Sequence, residues 1–445
     1  MDFINLLPAF GGVVWTVVAF VVALSIIVAV HEYGHYIVGR WSGIHAEVFS
    51  LGFGPILYSR VDKRGTKWQL AALPFGGFVK FLGDADAASG KDGSKISTLS
   101  TADRRRTMHG APLWARSATV AAGPMFNFIL SIAVFAGFFL AFGIAADQPV
   151  VGTMKPLPFE GQSLLPGDKI LSVAGIETQD FETFVSVVSD LPPTPTVPYL
   201  VQRDGQKMQL QGPHPLPPIA DGVQPRSAAM ESGMLVGDVV LAINGQSVSA
   251  FNEMRDLVGG SDGKALQVKV WRAGATLDLT MTPDRRDLPK EGGGFETRWL
   301  IGMSGGLMFE PETRTPGPFE AVKLGAERTW SAGVTNLSFL WNIVIGNVSS
   351  CNVSGPIGIA KVSGDAARQG FDSFILLIAL LSTSVGLLNL FPIPVLDGGH
   401  LVFHAFEAVS GKPPSDRALR VLMGIGLTAL LALMAFALTN DIFCP

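Results

Sequence analysis

The chain has 445 residues, of which 48% are hydrophobic and only 16% charged, where an ordinary soluble domain carries about 25%. A mean hydropathy of +0.37 excludes a disordered chain and argues against a wholly soluble one. The net charge of −4 offers no electrostatic footprint for nucleic acid. Two cysteines, Cys351 and Cys444, are too few for a disulfide framework or a thiolate metal site.

The first uncharged stretch, residues 3–30, is long enough to cross a bilayer, which needs about 20 residues. No Lys or Arg precedes it, and it runs into His31-Glu32-Tyr33-Gly34-His35 rather than a small-residue cleavage site. It reads as a retained span, not a signal peptide. Residues 41–116 follow as a basic segment with Arg40, Arg60, Lys63, Arg64, Lys67, Lys80 and Arg104 to Arg106 around it. Within it, 47–51, 56–60 and 68–72 are short strand-like runs, and Asp62-Lys-Arg-Gly65 is a turn. Residues 85–107, rich in Ser, Asp, Gly and Lys, read as a mobile loop.

A second span is expected at 117–146. Region 147–310 then repeats itself at an offset of about 70 residues. Leu165, Gly167, Asp168, Leu171, Gly175 and Phe181 recur as Leu235, Gly237, Asp238, Leu241, Gly245 and Phe251. Each copy also has an Arg-x-Gly turn, Arg203-Asp-Gly205 and Arg272-Ala-Gly274. The duplication resembles tandem PDZ domains of bacterial proteases, with copies at 147–215 and 216–310. Such folds bind extended chains on a sheet edge or serve as spacers. Residues 329–360 carry apolar residues at helical spacing among Ser, Thr and Asn, the pattern of an amphipathic helix on the membrane surface, within a segment 311–372. Spans three and four are expected at 373–396 and 421–440.

Orientation follows from the Lys and Arg near each span. The segment after span one and the loop with Lys412, Arg417 and Arg420 are basic, and both tails lack Lys and Arg. Both termini and the repeat region are therefore expected in the periplasm of a bacterial inner membrane. The expected fold class is a multi-pass α-helical membrane protein of four spans, with two inserted α+β domains and a membrane-associated β-hairpin region.

His31 and His35 stand four residues apart, so on a helix both imidazoles share a face and reach one metal ion. Glu32 beside them is placed to take a proton from water. Zinc needs a third protein ligand and an open position. Asp397, in Asn389-Leu-Phe-Pro392-Ile-Pro394-Val-Leu-Asp397-Gly398-Gly399, supplies a carboxylate at the same end of span three. For the two ends to meet, an even number of crossings must separate them. His400 and His404 form a rival pair without a Glu between them, and His45, His109 and His214 are isolated.

The two motifs together resemble the paired signatures of the intramembrane zinc metalloproteases called site-2 proteases. Gly123-Pro124-Met-Phe-Asn127-Phe is similar to a further family element. The tandem insert narrows the resemblance to the regulator-of-sigma-E protease branch, and Gly52 to Pro55 with Pro74 to Lys80 resemble its membrane-reentrant β-loop. The resemblance implies Zn2+ held by His31, His35 and Asp397, Glu32 as catalytic base, and Asn389 on the substrate backbone. It implies single-span membrane proteins as substrates, anti-sigma factors already shortened outside or leftover signal peptides. The alternative is a membrane-anchored PDZ recruitment protein with an inactive or structural zinc site.

Overall fold

The computed structural model describes residues 7–85, 93–159, 163–224, 227–289 and 295–444. They form two compact units, Met1–Phe138 with Pro318–Pro445, and Phe139–Gly317.

In the first unit, helix α1 (Leu7–Trp41) runs unbroken through the HEYGH motif. From Gly12 to Trp41 it has 30 residues, about 45 Å at 1.5 Å per residue, longer than the roughly 30 Å hydrocarbon core. Strands β1 (Ala46–Val61) and β2 (Lys67–Phe81) pair antiparallel. Both bend, so that residues 46–51 pair on one side with 67–70 and on the other with 77–81, while 56–61 pair with 67–71. The hairpin is thus a four-segment sheet whose edges are 56–61 and 77–81. Residues 86–92 of the loop expected to be mobile lie outside the described residues. The remainder holds two short helices, Gly93–Thr98 and Thr101–Arg104.

Helix α2 (Leu113–Phe142) carries Pro124 inside it and ends at Gly143, whose φ of +79° suits a glycine terminator. The second unit follows, and it contains the repeat as two like modules. The first has β3 (Lys169–Val173), β4 (Ile176–Glu177), α3 (Phe181–Ser189), β5 (Thr196–Arg203) and β6 (Gln206–Pro213). The second has β7 (Val239–Ile243), β8 (Gln246–Ser247), α4 (Phe251–Gly259), β9 (Leu266–Arg272) and β10 (Ala275–Met281). The sheets run β4-β3-β5-β6 and β8-β7-β9-β10. Their hairpins turn on Ala174-Gly175, Asp204-Gly205, Asn244-Gly245 and Ala273-Gly274, all at positive φ, as tight two-residue hairpins require.

The two repeated signatures meet in space. Arg203 holds Asp168 with a two-point ion pair at 2.6 and 2.7 Å. Arg272 holds Asp238 in the same way, at 2.6 Å for both contacts. Each carboxylate also accepts the backbone N–H three residues before it, Leu165 or Leu235, at 2.8 and 2.9 Å. The Gly-Asp turn that leads into each strand and the distant Arg-x-Gly turn are therefore one structural device, used twice. Met308 and Phe309, from the end of the unit, are buried in the first module's core beside Tyr199 and Phe184. The chain returns to complete its first module after finishing the second.

Back in the first unit, helix α5 (Pro318–Val344) begins eleven residues before the expected amphipathic start at 329 and stops at 344. Trp330, Val334, Leu337, Trp341 and Val344 are exposed. Thr329 Oγ1 instead lies 3.2 Å from Ser131 Oγ on α2, and Asn336 donates to Ser384 Oγ at 2.9 Å. Thr329 and Asn336 thus face other helices while these apolar residues face outward, the arrangement lipid favours for that stripe. Helices α6 (Pro356–Gln369), α7 (Phe371–Asn389), α8 (Asp397–Ser410) and α9 (Asp416–Phe443) complete the unit. Among the described residues four helices, α1, α2, α7 and α9, are long and apolar enough to cross a membrane.

Cys351 and Cys444, too few for a framework and with their pairing left open by the sequence, form a single disulfide with Cα atoms 5.5 Å apart. The end of α9 returns to the chain before α6. Asp441 there accepts the backbone N–H groups of Gly355, Ile357 and Gly358 at 2.9–3.0 Å, placing a carboxylate at the α6 N-terminus.

The Asp168–Arg203 pair gives an acid test. Burial raises the Asp168 carboxyl, but the hydrogen bonds from Arg203 and the Leu165 N–H, with the Arg203 charge, together outweigh it and hold the group below the usual carboxylate range. Its contribution is complete above the unfolded value of about 3.9 and is lost as pH falls through the lower native value. Asp168→Asn should destabilise the first module by about 3 kcal/mol and flatten the acid-dependent fall of its thermal midpoint. Equal acid sensitivity in variant and wild type would contradict this.

Candidate metal centre

The centre is built where three helices approach closely. A Cβ added to Gly34 would lie 2.6 Å from the Ala122 carbonyl and 2.9 Å from Phe126 Cβ. A Cβ on Gly123 would lie 2.8 Å from His31 Cε1 and would collide with the His35 ring. Helices α1 and α2 thus cross backbone to backbone at the level of the histidines. Gly386 brings α7 to the same place, where an added Cβ would lie 3.1 Å from Asn127 Cβ and the Pro124 carbonyl.

Beyond α7, residues 390–396 turn sharply. Pro392 and Pro394 cannot continue a helix, and Leu396 donates to the Ile393 carbonyl at 2.9 Å. A side chain on Gly398 would collide with the carbonyls of Leu390 and Phe391, and one on Gly399 with that of Ile393. The double glycine lets the chain fold back on itself, which sets Asp397 on the first turn of α8. At the other end of α8, Arg116 of α2 grips Glu407 in a two-point ion pair at 3.0 and 2.5 Å.

His31 Nε2 and Asp397 Oδ2 are 3.2 Å apart, and His35 Nε2 and Asp397 Oδ2 3.5 Å. The two histidine Nε2 atoms are 3.2 Å apart. Ligands at about 2.0–2.1 Å from one tetrahedral ion are separated by about 3.3 Å, so the triangle has the size zinc requires. The hydrogens fit as well. His35 Nδ1 donates to the Thr119 carbonyl at 2.8 Å, leaving a lone pair on Nε2. His31 Nδ1 lies 3.2 Å from the Asn127 side-chain amide. Asn127 is fully buried and its Oδ1 is otherwise unpartnered, so with the amide turned that oxygen accepts from Nδ1–H. Asp397 Oδ2 is buried without a hydrogen-bond donor. In these tautomers three acceptor atoms converge, which is chemistry for a cation. Among the described residues this is the one set of three such groups.

Glu32 is half-buried next to this triangle. Its Cγ is 3.2 Å from where a Cβ on Gly77 would sit, and its carboxylate accepts a hydrogen bond from the Val79 backbone. The sheet edge 77–81 therefore lies against it. Asn389 ends α7, half-buried, and no contact joins it to the triangle among the described residues. His400 and His404 are not gathered with the three. Burial and then the Arg116 charge push His404 down to about 4, and its Nδ1 faces Ser117 Oγ at 3.2 Å. His109, expected to be isolated, lies 3.4 Å from the buried Asp84 carboxylate. His214 is buried and accepts the Leu216 N–H.

Thr119 and Asn127 had no assigned role from the sequence. Only the Gly-Pro-x-x-Asn pattern around Asn127 marked that face of α2.

The sequence profile of peptidase family M50 matches residues 19–433. A protein of Agrobacterium fabrum, provisionally named a zinc metalloprotease, is 37% identical over 98% of both chains. The regulator of sigma-E protease RseP of Salmonella typhimurium is 33% identical over 97% of this chain and 99% of its own. That of Escherichia coli is 33% identical over 96% and 98%. With the family match spanning nearly the whole chain, this protein belongs to peptidase family M50, the site-2 proteases, and is an intramembrane zinc metalloprotease.

Proposed function

We propose that His31, His35 and Asp397 hold the zinc and that Glu32 is the catalytic base. The observation that carries this is the triangle of bare acceptor atoms at tetrahedral spacing, with Glu32 beside it. Zinc there would polarise the scissile carbonyl and make water acidic enough to be deprotonated near neutral pH. Glu32 takes a proton from the attacking water as the O–C bond forms. It returns the proton to the leaving nitrogen as the C–N bond breaks. Thr119 and Asn127 keep both imidazoles in the tautomer that presents Nε2.

A membrane helix has its carbonyls tied in hydrogen bonds, so a substrate must unwind before it can be cut. The sheet edge 77–81, beside Glu32, would take the unwound segment by strand addition, with Asn389 contributing to its backbone contacts. The relatives named for sigma-E regulation support single-span, anti-sigma-type substrates. The charge pattern supports an inner-membrane orientation with both termini and the inserted unit in the periplasm. The duplicated modules, 147–215 and 216–310 by the repeat, read as a PDZ pair. Joined to membrane helices at both ends, that pair would screen substrates by the size of their outer domains. The recruitment-only alternative is disfavoured, since a structural zinc site is normally closed by four protein ligands.

Glu32→Gln should keep zinc while cleavage falls by about 100-fold or more, whereas Asp397→Ala should lose both. Metal content measured beside a cleavage assay separates them. Near wild-type turnover in Glu32→Gln would remove it as the base, and full occupancy in Asp397→Ala would point to His400 or His404. Gly123→Ala should displace the His35 ring and lower zinc content, at a packing cost of about 1–3 kcal/mol. For the inserted pair, Gly167→Asp or Gly237→Asp at the tight turns should admit full-length substrates and spare cleavage of shortened ones. If cleavage of shortened substrates fails and the full-length form stays uncut, the pair recruits rather than screens.

A further inference from the structure

A cavity of about 450 Å3 opens where α1 ends. Arg40 enters it from the last turn of α1, Arg64 from the turn between β1 and β2, and Arg106 from the segment leading to α2, with His45, Tyr36 and Thr66 completing the polar lining. No carboxylate lines it. Among the described residues Arg40 has only the Tyr36 side chain as a partner, its hydroxyl at 3.3 Å, and Arg106 reaches Asp103 at 3.7 Å. The nearby Asp62 is occupied by other donors: the backbone N–H groups of Arg64 and Thr66 at 2.8 and 3.0 Å and Trp68 Nε1 at 3.2 Å. Three arginines from three separate elements thus line one cavity, and among the described residues no carboxylate lines it.

The depth of the cavity says what kind of anion fits. Gly77 packs on Val28 and Glu32, and Phe81 on Gly39, so the strands run alongside α1. Their Glu32 end carries Phe53, Ile56, Leu57 and Leu73, all exposed. The turn with Arg64 lies at the other end, level with Trp41, which is 73% exposed and suited to the membrane–water boundary. From Leu57 to Asp62 is five residues of strand, about 17 Å at 3.3 Å each, and half a hydrocarbon core is about 15 Å. With the apolar tip in hydrocarbon, the cavity stands at the level of lipid headgroups.

We propose that this cavity binds the phosphate of an anionic phospholipid headgroup. Guanidinium forks match phosphate oxygens in two-point contacts, and basic pockets at this depth are suited to headgroups. A bound phosphate would bridge α1, which carries the zinc-site histidines, to the sheet and to the segment that feeds α2. This goes beyond the proteolytic reading and does not depend on it.

The test is native mass spectrometry on the full-length protein in neutral detergent, titrated with phosphatidylglycerol or with phosphatidylcholine of the same acyl chains. Wild type should retain one phosphatidylglycerol in preference to phosphatidylcholine. Arg40→Gln/Arg64→Gln/Arg106→Gln should lower that retention by at least about tenfold, the scale of one lost charge-assisted hydrogen bond. Arg60→Gln/Lys63→Gln/Lys67→Gln, which removes equal charge outside the cavity, should not. Should the triple cavity variant misfold, Arg64→Gln alone, on an exposed turn, should lower retention several-fold. Equal loss in the cavity and control variants, or equal retention of both lipids, would overturn the proposal. Saturable binding of inorganic phosphate without preferential lipid retention would assign the cavity to a soluble anion and overturn the lipid assignment.

Discussion

Helices α1 and α2 touch backbone to backbone at Gly34 and Gly123, and the proposed metal centre depends on that contact. Two imidazoles project from α1 one turn apart. They can be oriented only if α2 comes close enough for its Thr119 carbonyl and Asn127 amide to reach their Nδ1 atoms. Any side chain at position 123 would occupy the space of the His35 ring. The glycine inside the HEYGH motif and the glycine before Pro124 are therefore two halves of one crossing, although they are almost ninety residues apart in the chain.

The same crossing organises the polar groups of the bundle. Ser382 of α7 donates to the Asn127 carbonyl at 2.8 Å. Ser131 of α2 donates to the Ala379 carbonyl at 2.9 Å and meets Thr383 and Thr329. In an apolar surround an unpaired hydroxyl is expensive, so these contacts fix how α2, α5 and α7 pack. Asp397 is delivered by different means: a proline-broken turn, two glycines, and the Arg116–Glu407 pair at the far end of its helix. A carboxylate distant in sequence is thereby brought within 3.5 Å of both histidine nitrogens.

Much of this was legible in the sequence because it rests on local periodicity. The four spans follow from runs without charge, and the His31–His35 face from helical spacing. The duplicated Gly-Asp and Arg-x-Gly signatures turned out to be ion-paired partners, Asp168 with Arg203 and Asp238 with Arg272. What stayed hidden depends on partners brought together by the fold. Thr119 acts through its backbone carbonyl, which no residue type advertises. Met308 and Phe309 close a core begun about 150 residues earlier. The pairing of Cys351 with Cys444 needed the return of α9. The apolar stripe of α5 was visible, but the direction of its polar side was set by Ser131 and Ser384 on other helices.

The central claim is that two imidazoles and one carboxylate bind a single zinc ion at this crossing. X-ray absorption at the zinc edge of the purified full-length protein tests it most directly. The account predicts one zinc per chain, with nitrogen and oxygen neighbours at about 2.0–2.2 Å and outer-shell scattering that fits two imidazoles. A first shell with three or four imidazoles, or with sulfur, would contradict it.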